Sequence, residues 1–242
     1  MINGAILYEG ASRLDGAPIV AIATGVRRKS KNGKTGAMVQ VWILRADVDP
    51  VTATRTGADA SICGDCIHRP IDSGGQGTCY VTVWQAPRAI YQAYRAGRYV
   101  RWSPSVAARM LAGRVIRWGA YGDPAALPVD LLRRLSAAAA GHAGYTHQWR
   151  RFPALRSLLM ASTDSDHECR QASAQGWRFF AVGAGADSGG RVISCPASAE
   201  SGKRTTCAQC RLCDGAREGD KRASITIQPH GTKALTFYRW TV

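Results

Sequence analysis

Four cysteines near the end of the chain restrict it most: Cys207-x2-Cys210-x2-Cys213, preceded at a distance by the dipeptide Cys195-Pro196. Three thiolates at two-residue spacing wrap the faces of a cube-shaped iron–sulfur cluster, and a remote cysteine, often followed by proline, serves the fourth iron. Four cysteines also satisfy a tetrahedral zinc ion, but zinc ribbons normally present two separated C-x2-C pairs rather than one compact run. The spacing therefore predicts a 4Fe–4S cluster on Cys195, Cys207, Cys210 and Cys213, with zinc as the alternative.

The run resembles the ferredoxin-type pattern, except that the Cys-Pro lies upstream of the three cysteines rather than downstream. A second set, Cys63-x2-Cys66-x12-Cys79, encloses His68-Arg69-Pro70. Either His68 or an oxygen ligand completes a zinc site with the three thiolates, or three thiolates hold a second cluster with one iron open to substrate. The spacing is not the C-x3-C-x2-C signature of radical S-adenosylmethionine enzymes. Cys169, alone in a helical pattern, reads as a packing thiol.

The start of the chain, MINGA, has neither the basic residues nor the apolar run of a secretory signal, which predicts a cytoplasmic location. In a reducing compartment eight cysteines read as metal ligands rather than disulfides. No run of about eighteen apolar residues occurs, so no membrane-spanning helix is expected. The net charge of +15 and the excess of arginine over lysine suit planar contacts with phosphates, making nucleic acid or another polyanion the expected partner. Within the basic segment 27–36 (RRKSKNGKTG), Arg27, Arg28, Lys29, Lys31 and Lys34 are the candidate phosphate contacts, against the plainer reading of a solvated turn.

Length fits a single α/β domain spanning residues 1–242. Residues 1–50 read as strands at 18–24 (PIVAIAT) and 37–44 (AMVQVWIL) around the basic loop, and residues 51–84 as a cysteine-bearing loop ending in a strand at 78–84. From 114 to 231, apolar runs at 115–119, 144–149, 158–163, 178–183, 191–195 and 224–227 alternate with helical stretches at 128–140, 152–158 and 166–175. That alternation predicts a complete or partial (β/α) barrel with cysteine-rich metal-binding loops, an open doubly wound sheet being the rival. Chemistry in either gathers at the carboxyl ends of the strands, which selects Asp123, His147 and Asp164 as candidate acid, base and substrate contacts. Asp123-Pro124 and Asp164-Ser165 also fit helix starts.

The motifs C-x2-C-x-H-R-P (63–70), G-x-C-Y-V (77–81), R-W-G-x-Y-G-D-P (117–124), G-Y-T-H-x-W (144–149), G-W-R (176–178) and C-x2-C-x2-C-D-G (207–215) occur in this order. Together they resemble a cysteine-rich family of phage and prophage proteins of the gene product 88 type. The resemblance implies a phage-associated protein inside a bacterial host. It directs attention to Arg117, Asp123, His147 and the seven clustered cysteines, and implies no particular activity. Taken together, the residues predict an iron–sulfur protein, a redox or radical-type enzyme acting on a nucleotide or nucleic-acid-related substrate. The alternative is a non-catalytic nucleic-acid-binding protein whose iron–sulfur or zinc sites only hold loops in place.

Overall fold

The computed structural model describes residues 3–30, 32–71, 77–185, 188–202, 205–229 and 233–241. Lys31 of the basic segment lies outside them. Two sheets form the frame. The first contains β1 (Gly4–Ala11), β2 (Pro18–Thr24), β3 (Val39–Arg45), β4 (Val100–Arg101), β5 (Val115–Tyr121) and β6 (Gly141–Ala143), in the order β4-β1-β2-β3-β5-β6. The second contains β7 (Tyr145–Thr146), β8 (Met160–Thr163), β9 (Phe179–Val182), β10 (Val192–Ser194) and β11 (Ser224–Ile227), in the order β10-β11-β9-β8-β7.

Only the pairings of β2 with β1 and β3 are antiparallel; the ladders from β3 through β5 to β6, and all those of the second sheet, are parallel. The chain is thus a mixed α/β structure in which the parallel strands follow nearly in sequence order. No helix among the described residues is long and apolar enough to cross a membrane.

One extended segment joins the sheets. Residues 141–143 pair with β5, residues 145–146 pair with β8, and only Gly144 separates them. A Cβ at position 144 would lie 2.6 Å from Leu159 Cδ2 and 3.0 Å from Trp118 Cβ, so the crossing needs glycine. The Gly144 amide donates to the Cys213 carbonyl at 3.0 Å, and its own carbonyl accepts from Met160 N at 3.0 Å. The C-terminal cysteine loop is thereby hydrogen-bonded into the junction of the two sheets.

The helices are α1 (Pro50–Thr56), α2 (Ala60–Cys63), α3 (Ala86–Arg95), α4 (Pro104–Leu111), α5 (Val129–Ala138), α6 (Asp166–Ala174), α7 (Cys207–Cys210) and α8 (Ala234–Thr241). The main core fills with Trp118, Trp149, Phe179, Ile19, Ile22 and Ile43, all fully buried, each worth about 1.5–3 kcal/mol or more of transfer free energy. The Trp118 indole keeps its hydrogen bond by donating to Ser136 Oγ of α5 at 2.9 Å.

Three local expectations change. The stretch after Val51, read as loop, holds α1 and α2: Asp49 accepts the Val51 amide at 2.9 Å, Pro50 fixes the first turn, and Gly57 ends it at φ 79°. Residues 78–84 form no strand, because the Cys79 amide donates to the His68 carbonyl inside the cysteine loop at 3.1 Å rather than to a neighbouring strand, while Tyr80, 65% exposed, reaches Arg117. The helix expected at 152–158 is only a 3-10 turn, Pro153–Leu155.

Candidate metal centres and the strand-end cluster

The first cysteine loop leaves the end of α2 and is held in shape by arginine rather than by disulfides, since all eight cysteines are free. Arg69 donates to Gly64 O at 3.0 Å, Gly57 O at 2.9 Å and Asp59 Oδ1 at 2.8 Å. Gln148 reaches into the Cys63–Cys66 turn, donating to Cys63 O at 3.4 Å and to the Asp65 carboxylate. Gly64 sits there at φ 62°, and a Cβ would fall 2.3 Å from Gln148 Nε2. Cys79 is brought in by its amide, which donates to His68 O at 3.1 Å.

Burial, reinforced by the charges of Cys66, Asp59, Cys79 and Asp123, pushes the Cys63 thiol well above the usual range. Burial likewise raises Cys79, with Cys66 adding to it and the Val81 amide, Lys233 and His147 opposing. Cys63, Cys66 and Cys79, all half-buried, therefore lie near enough to act on one another.

Asp123, His147 and Asp164 follow the ends of β5, β7 and β8, which places them side by side. Buried Asp123 spends both oxygens on backbone: Oδ1 accepts from Ala125 N at 2.9 Å and Oδ2 from His147 N at 2.8 Å. It positions His147 and caps the turn that follows it. His147 in turn presents Nε2 to Asp164 Oδ2 at 3.3 Å, while His68 Nε2 lies 2.8 Å from Asp164 Oδ1.

Burial alone would lower the His147 pKa, but the adjacent Cys66 and Asp164 outweigh it and hold the pKa well above the ordinary imidazole value. Burial would raise Asp164; the two imidazoles overcome it and hold the carboxyl well below its usual range. His68 is turned to Asp164, and it is His147 that lies against Cys66. Asp164 itself is fixed by its amide, which donates to Glu168 Oε2 at 2.8 Å, and α6 begins beyond it with Ser165 accepting from Glu168 N at 3.2 Å.

The C-terminal cysteines also converge. Cys195 follows β10 and donates its amide to Thr226 O at 2.8 Å. Cys207 and Cys210 bound α7, whose start carries a Thr206–Gln209 capping box. Burial and the neighbouring Cys195 raise Cys207, against Arg117 and Lys34, while burial pushes Cys213 to about 12 despite the hydrogen bond with Tyr145. Cys195, Cys207 and Cys210 all lie near enough to Cys213 to act on it electrostatically. Arg178 ties the surrounding loop together by donating to Leu212 O at 2.7 Å, Gly215 O at 3.0 Å and Ala223 O at 2.7 Å.

The basic segment touches this second group. Cys207 N donates to Lys34 O at 2.9 Å and Ala208 N to Thr35 O at 3.2 Å, so the loop forms a wall of the cysteine site through its backbone. Arg28 and Lys29 line a neighbouring cleft of about 480 Å³ with Asn32, Trp42, Tyr99 and Arg117, and among the described residues no carboxylate lines it. Arg27 lies exposed on the same turn, its amide and that of Arg28 donating to Asn3 Oδ1 at 2.7 and 3.0 Å. Arg117 stands between the two cysteine groups: it donates to Tyr80 Oη at 2.6 Å, next to Cys79, and its charge acts on Tyr145 and Cys207.

Among the described residues, the one set of three ligating atoms mutually within 4.8 Å is that of His68, His147 and Asp164. No three cysteine sulfurs meet that spacing, whereas a zinc ion bound at about 2.3 Å holds its thiolates roughly 3.8 Å apart. Sequence reasoning passed over Arg69, Gln148, Tyr80, Tyr145 and Arg178 as individual residues. Arg69, Gln148, Tyr80 and Tyr145 nevertheless stand inside short motifs that contain the cysteines or histidines, and Arg178 ends the G-W-R motif. No protein-family model, curated protein or solved structure matches the chain.

Proposed function

We propose that this chain is an iron–sulfur protein of phage type, a redox or radical-type enzyme acting on a nucleotide or nucleic-acid-related substrate. The observation that carries the reading is the assembly, from remote stretches of sequence, of two sets of free cysteines in hydrogen-bonded loops, with burial raising the pKa of Cys63 and Cys79 in the first and of Cys207 and Cys213 in the second. Such thiols are costly to ionise by themselves, and a metal that binds thiolate repays the cost by displacing their protons. Sulfurs spread more widely than one tetrahedral ion requires suit a cluster, in which each thiolate binds its own iron at a separate corner.

Cys195, Cys207, Cys210 and Cys213 would hold a closed 4Fe–4S cluster, whose contribution is one-electron transfer. Cys63, Cys66 and Cys79 would hold a second with one position left for substrate, on the side where His147 stands. Asp123 orients His147 through its backbone amide, and Arg69 and Gln148 keep the loop closed. The cleft lined by Arg28, Lys29 and Arg117, with Trp42 and Tyr99 as aromatic surfaces, suits a phosphate-bearing ligand with a planar base. The parallel run from β3 to β10 is read here as a partial (β/α) barrel that brings the strand ends together. The motif resemblance supports the phage origin.

Anaerobically purified protein is expected to be brown and to contain about four irons and four sulfides per cluster. Colourless protein holding only zinc overturns the reading. The same cleft favours a second reading, a non-catalytic nucleic-acid-binding protein with structural metal sites. Binding to single- or double-stranded nucleic acid that falls steeply with salt, in protein without redox activity, would select it.

Replacing Arg117 by glutamine removes a cation that acts on Cys207. Removing positive charge disfavours the reduced, more negative centre. The midpoint potential of the C-terminal cluster should fall by on the order of 50 mV, about a tenfold change in a one-electron equilibrium. A redox titration of wild type and R117Q checks it; an unmoved potential would place the guanidinium out of electrostatic reach.

A further inference from the structure

We infer that His68, His147 and Asp164 form a mononuclear site for a divalent first-row transition metal, distinct from the cysteine centres. The inference goes beyond the iron–sulfur reading and does not depend on it.

The geometry is that of a ligand set. Asp164 offers one oxygen to each imidazole, at 2.8 Å for His68 Nε2 and 3.3 Å for His147 Nε2. One ligand atom from each residue lies within 4.8 Å of the other two, and ligand atoms held about 2.0–2.2 Å from one ion stand roughly 3–3.6 Å apart, so small side-chain rotations would close the set on a metal. A plain His–Asp–His hydrogen-bond chain would satisfy every nitrogen. His147 Nε2 is instead buried without a hydrogen-bond partner, its approach to Asp164 being close enough but misdirected. A bound cation would displace the proton that Asp164 favours on this nitrogen and give the buried atom the well-directed partner it lacks.

The surroundings fix each ligand as metal sites require. His68 Nδ1 lies 2.6 Å from Thr78 Oγ1, which sets the ring's orientation, and the ring stacks on Phe237 with centroids 5.5 Å apart. His147 is placed by the Asp123 contact to its amide, and Asp164 by the Glu168 contact to its own. Since β7 and β8 are hydrogen-bonded neighbours, the spacing of the residues that follow them is set by the ladder.

Two imidazoles and one carboxylate leave coordination positions open. This donor set suits zinc or iron(II), with a small oxygen or nitrogen ligand of the substrate at the open positions. Solvent reaches the site through His147, whose side chain is 25% exposed, while Asp164 is only 8% exposed.

The test uses cobalt(II) on the full chain after a chelator has stripped labile metal and metal analysis has confirmed that the cysteine sites remain loaded. Wild type is expected to take up one further equivalent with ligand-field bands and no thiolate-to-cobalt charge-transfer band. Asp164→Asn should abolish that equivalent, and Thr78→Val, which leaves all three ligands in place, should weaken it about 10–100-fold. Both variants should retain the metal and sulfide content of the cysteine sites.

Absence of the extra equivalent in wild type overturns the inference. So does a charge-transfer band that disappears in Cys66→Ser, which would make the site a sulfur site. Unchanged cobalt affinity in Thr78→Val and Asp164→Asn alike would place the ion elsewhere. A colourless, zinc-only protein would sink the iron–sulfur reading and leave this cobalt measurement intact.

Discussion

Cys213→Ala should strip the C-terminal centre from the protein and loosen the loop around it, with a loss of metal-linked stability on the order of 10 kcal/mol. Cys213 combines three roles. Its carbonyl receives the Gly144 amide where the two sheets meet, its sulfur meets the Tyr145 hydroxyl, and it packs with Cys207 against both smaller cores. Alanine preserves the carbonyl and most of the packing, so the metal-free variant should lose only a kcal/mol or two against metal-free wild type, the range of ordinary core truncations. The large difference should therefore appear only between the loaded forms. Metal and sulfide analysis should show one site's worth missing, and hydrogen exchange should speed up between residues 205 and 223. Cys169→Ala is the control. That thiol is fully buried beside Thr163 Oγ1 at 3.2 Å, has no other cysteine near it, and should leave both centres loaded. Full metal content in Cys213→Ala would remove Cys213 from the ligand set.

The strands that the sequence revealed best are those whose burial matches their apolar runs. Pro18–Thr24 and Ser224–Ile227 lie where the pattern put them because nearly every side chain in them is enclosed. β1 went unread: in GAILYEGA only four residues are continuously buried before the pattern turns to alternation, too short a run to stand out. α4 was missed for a different reason. Ser103 caps it and Pro104 opens it, but only Ala107 and Leu111 are buried, so its apolar stripe is thin. The cysteines announced themselves by spacing, and the strand-end position drew attention to Asp123, His147 and Asp164 before any coordinates. What spacing cannot convey is direction. His68 stands two residues from Cys66, yet its ring faces Asp164, 96 residues away in the chain, and His147 from another strand comes to Cys66 instead. Side-chain direction in a loop is decided by which partners the fold delivers, and Asp164 and Thr78 are delivered from β8 and from the stretch before Cys79.

The largest loss of stability in the chain without metal should come from Arg69→Met. The guanidinium and the Asp59 carboxylate are 8% and 3% exposed, so the pair is almost entirely out of water. Charges in that position gain little net stability as a pair, because desolvation consumes much of their attraction, but removal of one partner leaves the other buried and uncompensated. Methionine fills a similar volume and supplies no donor. Asp59 loses its counter-charge, Gly64 O loses the bond that Arg69 donates, and Gly57 O is left with the Ala60 amide alone. A cost of about 3–5 kcal/mol follows, read as a lowered urea midpoint at an unchanged slope. Adding Asp59→Leu removes the stranded charge and should recover most of that stability. It should not recover metal in the first cysteine loop, because Gly64, between Cys63 and Cys66, still lacks the donor that fixed its carbonyl. Stability and metal content would then part company in the double variant, separating an arginine that only supports the fold from one that also shapes the site. A single variant losing less than about 1 kcal/mol would show that water reaches the pair; a double variant regaining both properties would show that Arg69 has no part in shaping the cysteine turn.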